Sequence, residues 1–252
     1  MATKNIDKTI LYTTDSVLDP ELADFCRRML IKMAGGLQIV SVSQKPLSFG
    51  ENICVGDIGR SGCSLDKQLF AGASAVKTKW VMLAEHDCVY SAEHIRWIPP
   101  DDKYFYYNDN NWLLQVRGKN HPEYNGMYSY RKQRKVQSQM VANSENYLKA
   151  MTLKLKITGD KNWFATHPTG RIAEPGCCTR DRTIKIARHP NTVHLMPLVM
   201  EYMDTFEMRD FWTAEPNLDL RHDQNYTGHR RGNKRRYSLD PWGTIEDLFS
   251  SC

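Results

Sequence analysis

Glu85 and Asp87 stand two residues apart at the end of the apolar run Trp80-Val-Met-Leu-Ala84. Successive side chains of an extended chain point to opposite faces, so the two carboxylates share one side while His86 faces away. Two hard oxygen donors aimed at one point suit a divalent cation such as Mg2+ or Mn2+, which keeps its remaining positions for water and substrate phosphates. The competing reading is a strand that ends in a solvated acidic turn. What the neighbouring elements bring to the same place decides between them.

Thr9-Ile-Leu-Tyr-Thr-Thr14 is rich in β-branched and apolar residues and reads as a first strand ending at Asp15. Asp19-Pro20 opens a helix that runs to about Met33: Asp19 caps, Pro20 sits where a missing N–H costs nothing, and Gly35-Gly36 closes it. A second strand, Leu37 to Val42, follows at once. A β-α-β run of this kind predicts a parallel, helix-covered sheet whose ligands gather at the carboxyl ends of the strands. After a glycine-containing loop with Asp57 and Arg60, the pattern Leu65, Leu69, Phe70, Ala73, Val76 predicts another helix, with Lys67 and Gln68 on or near its exposed side. The strand at Trp80 then brings Glu85 and Asp87 to the same sheet end as Asp15.

Further along, Lys103 to Asn108 and Trp112 to Val116 read as two strands joined by the polar turn Asp109-Asn110-Asn111. Asn108 and Trp112 either serve the core or line a sugar pocket. Tyr124, Tyr128 and Tyr130 are interleaved with Arg131, Lys132, Arg134 and Lys135. That mixture suits a nucleic-acid groove, or else the solvated face of a helix from Tyr130 towards Ile157. Residues 158–190 predict loops and short elements near the site, carrying Trp163, His167, Glu174 and Asp181. His194–Met203 and Phe206–Trp212 read as partly buried segments. Five of the seven residues from Arg230 to Arg236 are basic, which suits phosphate contact or a solvated tail.

The 252 residues, 41% hydrophobic and 25% charged, are ordinary for a globular protein with a proper core. No apolar run approaches a membrane span, and Met1 to Lys8 lacks the apolar centre of a signal peptide, so the cytoplasm is the expected location. Seven scattered cysteines have no paired zinc spacing and read as reduced bystanders. A net charge of +5 permits a polyanionic partner without demanding one.

Taken in order, these motifs make the chain resemble GT-A-type nucleotide-sugar glycosyltransferases. The likeness is to the family-2-like branch with Glu-His-Asp at the metal site and a late Arg-His-x-x-Asn-aromatic-Thr-Gly segment. It rests on Thr13-Thr14-Asp15, Lys67-Gln68, Glu85 to Tyr90 with His94, Asn108 to Trp112, and Arg221-His222 to Gly228. The resemblance implies a single α/β domain over 1–252, a GT-A-like Rossmann-type sheet, mostly parallel and flanked by helices. Residues 1–116 would form its nucleotide-sugar half, and 117–252 its acceptor half with the segment that completes the metal site.

On the same resemblance Thr13, Thr14 and Asp15 hold the nucleoside, with Arg60 and Lys67 near the base or diphosphate. Glu85, Asp87 and His222 form the site for Mn2+ or Mg2+, Asp87 as direct ligand. Arg221, Asn225, Thr227, His229 and Arg230 lie close to the diphosphate or acceptor. An inverting transfer also needs a base for the acceptor hydroxyl, for which Glu174 and Asp181 are the candidates; without one, a retaining route gains ground. The implied activity is transfer from a UDP-sugar to a hydroxyl. Anchor-free relatives include bacteriophage enzymes that glycosylate hydroxymethylated pyrimidines in DNA, and others build surface polysaccharide. The basic stretches favour DNA, and the competing class is a non-enzymatic nucleic-acid-binding protein.

Overall fold

A computed structural model describes residues 6–116, 122–130, 135–166, 172–177, 189–225 and 234–251. The first strand, β1 (Lys8–Thr14), is buried along its whole length. It pairs in parallel with β2 (Gln38–Ser43) on one side and β4 (Trp80–Glu85) on the other, and β3 (Glu51–Cys54) extends the sheet beyond β2. Beyond β4 lies β9 (Met140–Asn143), antiparallel to both β4 and β6 (Tyr104–Asn108), and β10 (Glu207–Phe211) closes the edge in parallel with β6. The mostly parallel, helix-flanked α/β sheet expected from the sequence is therefore present, with seven strands and one reversed strand inside it.

Both faces of this sheet are covered, which explains the unbroken apolar run of β1. Leu11, Val42 and Leu83 point to one side, where α2 (Gly62–Ala75) and α4 (Ser144–Thr158) pack. Ile10, Tyr12 and Met82 point to the other, against Leu30 of α1 (Pro20–Ala34). Gly72 lets α2 lie this close, since a Cβ there would come within 2.2 Å of the Leu11 side chain. The capping logic of the sequence is realised: Asp19 accepts from the Leu22 amide at 3.0 Å, and Gly35 ends α1 with φ of 58°. Ser61 caps α2 in the same way, so that helix starts at Gly62, three residues ahead of the apolar pattern that begins at Leu65.

A second, five-stranded sheet contains β5 (Cys88–Val89), β7 (Asn111–Gln115), β8 (Tyr128–Tyr130), β11 (Asn217–Arg221) and β12 (Lys234–Arg236). Its core of Trp112, Leu114, Tyr128, Leu218 and Leu220 packs on Phe25 and Met29 of α1 and on Leu248 of the C-terminal helix Ile245–Ser250. One helix thus serves both sheets.

Two expectations are corrected here. The turn at Asp109–Asn111 joins no hairpin: β6 belongs to the large sheet and β7 to the small one, and the turn carries the chain between them. No helix runs from Tyr130 to Ile157 either. Met140-Val-Ala-Asn143 is a strand, because its apolar residues fill the gap between β4 and β6, and Asn143 then starts α4 by accepting from the Glu145 and Asn146 amides. The expected partly buried segments near 194–212 are the helix Met196–Thr205 and β10.

Asn108 and Trp112 serve the core and line no sugar pocket. The Asn108 amide bonds Thr213 Oγ1 at 2.7 Å and His94 Nδ1 at 3.1 Å, and Trp112 donates to Asn110 Oδ1. His94 lies in α3 (Ala92–Arg96), fully buried, and its Nε2 has no partner among the described residues. Burial, with the Lys8 charge nearby, pushes its imidazole down to about 3. Its proton is therefore refused by the fold but taken up by the unfolded chain below about pH 6.5. Stability should fall as pH drops from about 6.5 towards 3, by up to about 1.4 kcal/mol per pH unit from this group. Urea unfolding of the wild type and His94→Gln at pH 7.5 and 5 should show a shallower pH dependence in the variant; equal slopes would refute the assignment.

Candidate active site

The carboxyl ends of β1, β2 and β4 open into a cleft of about 500 Å3, within the range of small-molecule sites. β1 delivers Thr13, Thr14 and Asp15 to its wall. Immediately after them the chain turns at Ser16, a non-glycine residue with φ of 62°, a conformation that costs of order 1–3 kcal/mol. The turn is held from two sides. The Ser16 amide donates to Thr14 Oγ1 at 3.0 Å, and the Gln44 and Lys45 amides donate to Ser16 Oγ at 3.3 and 3.2 Å. Asp15 is thereby fixed between Arg60, whose Nε lies 2.6 Å from Oδ2, and His86, 3.6 Å from Oδ1. Arg60 also donates to the Gln224 carbonyl at 2.9 Å, closing the cleft from the far side.

β4 ends at Glu85, and the alternation of faces ends with it. His86 lies in the turn before β5 and swings towards β1, its Nδ1 2.7 Å from Thr14 Oγ1. The expectation that His86 faces away is thus wrong: it lines the cleft together with Glu85 and Asp87. Extended-chain alternation applies only while the strand lasts.

Asp87 is buried, and the Asn225 amide donates to its Oδ2 at 2.8 Å. His222 Nε2 stands 3.6 Å from the same oxygen. Burial alone would raise this carboxyl, but the His222 and His86 imidazoles and the Arg221 guanidinium outweigh it and hold the group at about 2. The Gln224 amide donates to His222 Nδ1 at 3.2 Å, and the Asn225 amide nitrogen lies 3.2 Å from His222 Nε2. Arg221 and Asp219 alternate along β11, so both reach the cleft, and Arg221 Nη2 bonds Asp219 Oδ2.

One potential ligand atom from each of His86, Asp87 and His222 lies within 4.8 Å of the others, and the same holds for Glu85, Asp87 and Cys88. A carboxylate with two imidazoles suits a divalent first-row ion, whereas the soft thiol of the second set suits neither Mg2+ nor Mn2+. Of the expected ligands Glu85, Asp87 and His222, this first set holds Asp87 and His222, with His86 in the place expected for Glu85, which itself lines the cleft beside them.

Of the other expected site residues, Asn225 lines the cleft and Lys67 does not. Lys67 is exposed, and it is Gln68, expected near the surface, that turns inward, donating to the Thr14 carbonyl at 2.7 Å. Glu174 lies in the cleft wall. Asp181, Thr227, His229 and Arg230 lie outside the described residues. His86, Gln44, Gln68, Asp219 and Gln224 line the cleft without having been given a role there from the sequence. His86 and Gln68 stood within the quoted motifs, and Asp219 had a signal in its spacing from Arg221.

Glu174 has a buried support. Lys154 Nζ lies 3.2 Å from Glu174 Oε2 and 3.3 Å from Asp66 Oδ1, and Thr158 Oγ1 donates to Asp66 Oδ2 at 2.8 Å. Burial pushes the Asp66 carboxyl up and the Lys154 charge opposes it. Gly176, with φ of 74°, completes the turn: a Cβ there would come within 2.7 Å of the Glu207 and Met208 backbone.

No family model matches the chain, and no curated protein matches it. Three solved structures show distant likenesses. A glycosyltransferase involved in the glycosylation of the major capsid of PBCV-1 has 10% identity and a TM-score of 0.39, over 65% of this chain and 71% of that one. The apo-form glycosyltransferase GlyE of Streptococcus pneumoniae TIGR4 has 8% identity and a TM-score of 0.43, over 80% of this chain and 44% of that one. The bifunctional IspDF of Campylobacter jejuni has 14% identity and a TM-score of 0.33, over 57% of this chain and 42% of that one. Likenesses this remote carry no argument about activity. Among the described residues no helix is long and apolar enough to cross a membrane.

The Lys154 ammonium sits between two carboxylates, so removing it should leave buried negative charge uncompensated. Lys154→Met is expected to cost roughly 3–5 kcal/mol in urea unfolding at pH 7, and adding Asp66→Asn should recover part of the loss. A loss below about 1 kcal/mol would show that the trio is not electrostatically coupled.

Proposed function

We propose that the protein is a metal-dependent glycosyltransferase that moves a sugar from a UDP-sugar to a hydroxyl acceptor. One observation carries this reading. A strand end bearing hydroxyls and a carboxylate (Thr13, Thr14, Asp15), a carboxylate–imidazole cluster (His86, Asp87, His222) and two guanidinium groups (Arg60, Arg221) meet around one cleft at the carboxyl ends of parallel strands. Open α/β sheets bind their ligands at that end. The order of the sequence motifs supports the same reading.

In this assignment Thr13, Thr14 and Asp15 hold the nucleoside, and Arg60 and Arg221 face the diphosphate. Thr227, His229 and Arg230 are assigned to the diphosphate or acceptor on the sequence resemblance alone. His86, Asp87 and His222 would hold Mn2+ or Mg2+, the two imidazoles favouring Mn2+. The cation would neutralise charge on the diphosphate as the bond to the sugar breaks. Arg60 and Arg221 add fixed positive charge where that negative charge develops, and Asn225 keeps Asp87 oriented. Glu174 is the candidate base for the acceptor hydroxyl, its carboxylate held by Lys154.

The proposed acceptor is a hydroxymethylated pyrimidine in DNA, a reading supported by the basic stretches 131–135 and 230–236 and the net charge of +5. Two measurements test the function. UDP with Mn2+ should raise the melting temperature of the wild type by linkage, and Asp87→Ala should abolish the rise; no rise in the wild type would overturn the donor assignment. Labelled UDP-sugars offered with hydroxymethylated DNA or with a lipid-linked glycan should label the DNA. Label entering only the glycan would overturn the DNA acceptor and keep the enzyme class.

A further inference from the structure

The small sheet carries a ring-and-guanidinium surface that the cleft chemistry leaves unused. Trp112 on β7 and Tyr130 on β8 are cross-strand partners with ring centroids 5.3 Å apart. Trp212 meets Tyr130 edge-on at 6.3 Å, and the Arg236 guanidinium lies over the Trp112 ring at 4.7 Å. Trp212 is 58% exposed, and Arg236 is exposed over the Trp112 ring. The row of rings therefore offers aromatic faces together with one guanidinium charge to a partner.

The surface is continuous with the cleft. Lys135 lines the cleft and is held by Asp109 at 3.2 Å and Asp210 at 2.6 Å, and Asp210 lies two residues before Trp212. Lys234 at the start of β12 pairs with Tyr130 at the end of β8, so Arg236, two residues on, shares the Tyr130 face of the sheet. Lys135, five residues after Tyr130, lies in the cleft wall.

We infer that Trp212, Tyr130 and Arg236 form a docking surface for a nucleic-acid strand with unstacked bases, which presents its reactive group to the cleft. The rings take base faces and the arginine takes a phosphate, the combination used for single strands. This rests on the proposed glycosyltransferase reading and adds to it the place where the acceptor lies. A neutral glycan would use the tryptophan but has nothing for the arginine. Basic residues on an edge strand also discourage strand addition, but that role calls for no exposed rings.

Fluorescence anisotropy with a labelled 12-nucleotide single strand tests the surface, using the whole chain across a range of salt. Trp212→Ala should weaken binding about tenfold, as loss of one stacked base does, and Trp212→Phe should retain most of it. Arg236→Ala should reduce the slope of log affinity against log salt by about 0.7, the value of one phosphate contact. All three variants should keep the wild-type rise in melting temperature with UDP and Mn2+. Strand binding that is absent in the wild type, or equal in wild type and variants, overturns the surface. If the UDP-dependent rise survives, the donor site stands on its own. Variants that lose strand binding in a protein with no UDP-dependent rise would support the surface and refute the donor assignment. Equal loss of binding to neutral dextran in Trp212→Ala would overturn the choice of a nucleic acid.

Discussion

The Asp87 carboxylate is the point at which the two sheets are tied together. Its backbone carbonyl accepts from the Leu220 amide at 2.8 Å, and the next residue, Cys88, pairs with Asp219, so β4 of the large sheet runs directly into β5 beside β11 of the small one. Its side chain accepts from Asn225 and stands against His222, both on the segment that follows β11. A buried carboxylate without such partners would be protonated or excluded. Here the surrounding cations and the amide keep it charged at a pH far above about 2. The interaction that joins the sheets therefore also prepares an anionic oxygen at the head of the cleft, and structure and proposed chemistry depend on the same atoms.

The remaining groups are ordered outward from that point. His86 connects Asp87 to β1 through Thr14, Asp15 connects β1 to Arg60, and Arg60 returns to the Gln224 carbonyl beside Asn225. The result is a closed ring of polar contacts around the cleft, with the left-handed turn at Ser16 as its tightest corner. Such a ring restricts the positions of Asp15 and Arg60 before any ligand arrives, which lowers the ordering cost of binding. Glu174 stands on separate support, from α4 through Lys154, so its placement does not depend on the ring.

The sequence was most legible where local chemistry dictates structure. Asp19-Pro20 and Gly35 mark the ends of α1 because capping and backbone sterics act within a few residues, and β4 is apolar from Trp80 to Ala84 because both faces of the sheet are covered. It was least legible where distant partners decide. Met140-Val-Ala-Asn143 is a strand only because β4 and β6 leave a gap for it, and β6 and β7 part company only because each finds a better neighbour elsewhere. In the site, Glu85 and Asp87 were readable from the strand end that carries them, and both line the cleft. His86 was not, because its direction is set by the turn after β4 and by Thr14, 72 residues away in the chain. Lys67 and Gln68 show the same limit: adjacent residues of a helix differ in burial according to where the sheet lies, and the apolar pattern of α2 did not fix that to within one residue.

The antiparallel strand β9 has a consequence for how the two substrates in the proposed reaction would be separated. With β1, β2 and β4 parallel, the carboxyl ends of three strands open on one side and supply hydroxyls, carboxylates and an imidazole, groups suited to a charged nucleotide. Reversal at β9 means that the chain leaves its carboxyl end at the opposite edge and enters α4 there, so the helix runs back under the sheet and delivers Lys154 beneath Glu174. Across β9, β6 resumes the original direction, and the turn after it throws Asp109 and then β7 into the small sheet, next to Tyr130 and Trp212. One reversed strand therefore brings a supported carboxylate, Glu174, to the wall of the cleft, while the next strands carry the aromatic residues outward. That ordering is what a transfer between a nucleotide-bound sugar and a large anionic acceptor requires, since the two substrates must approach the same carboxylate from different sides without competing for the same positive charges.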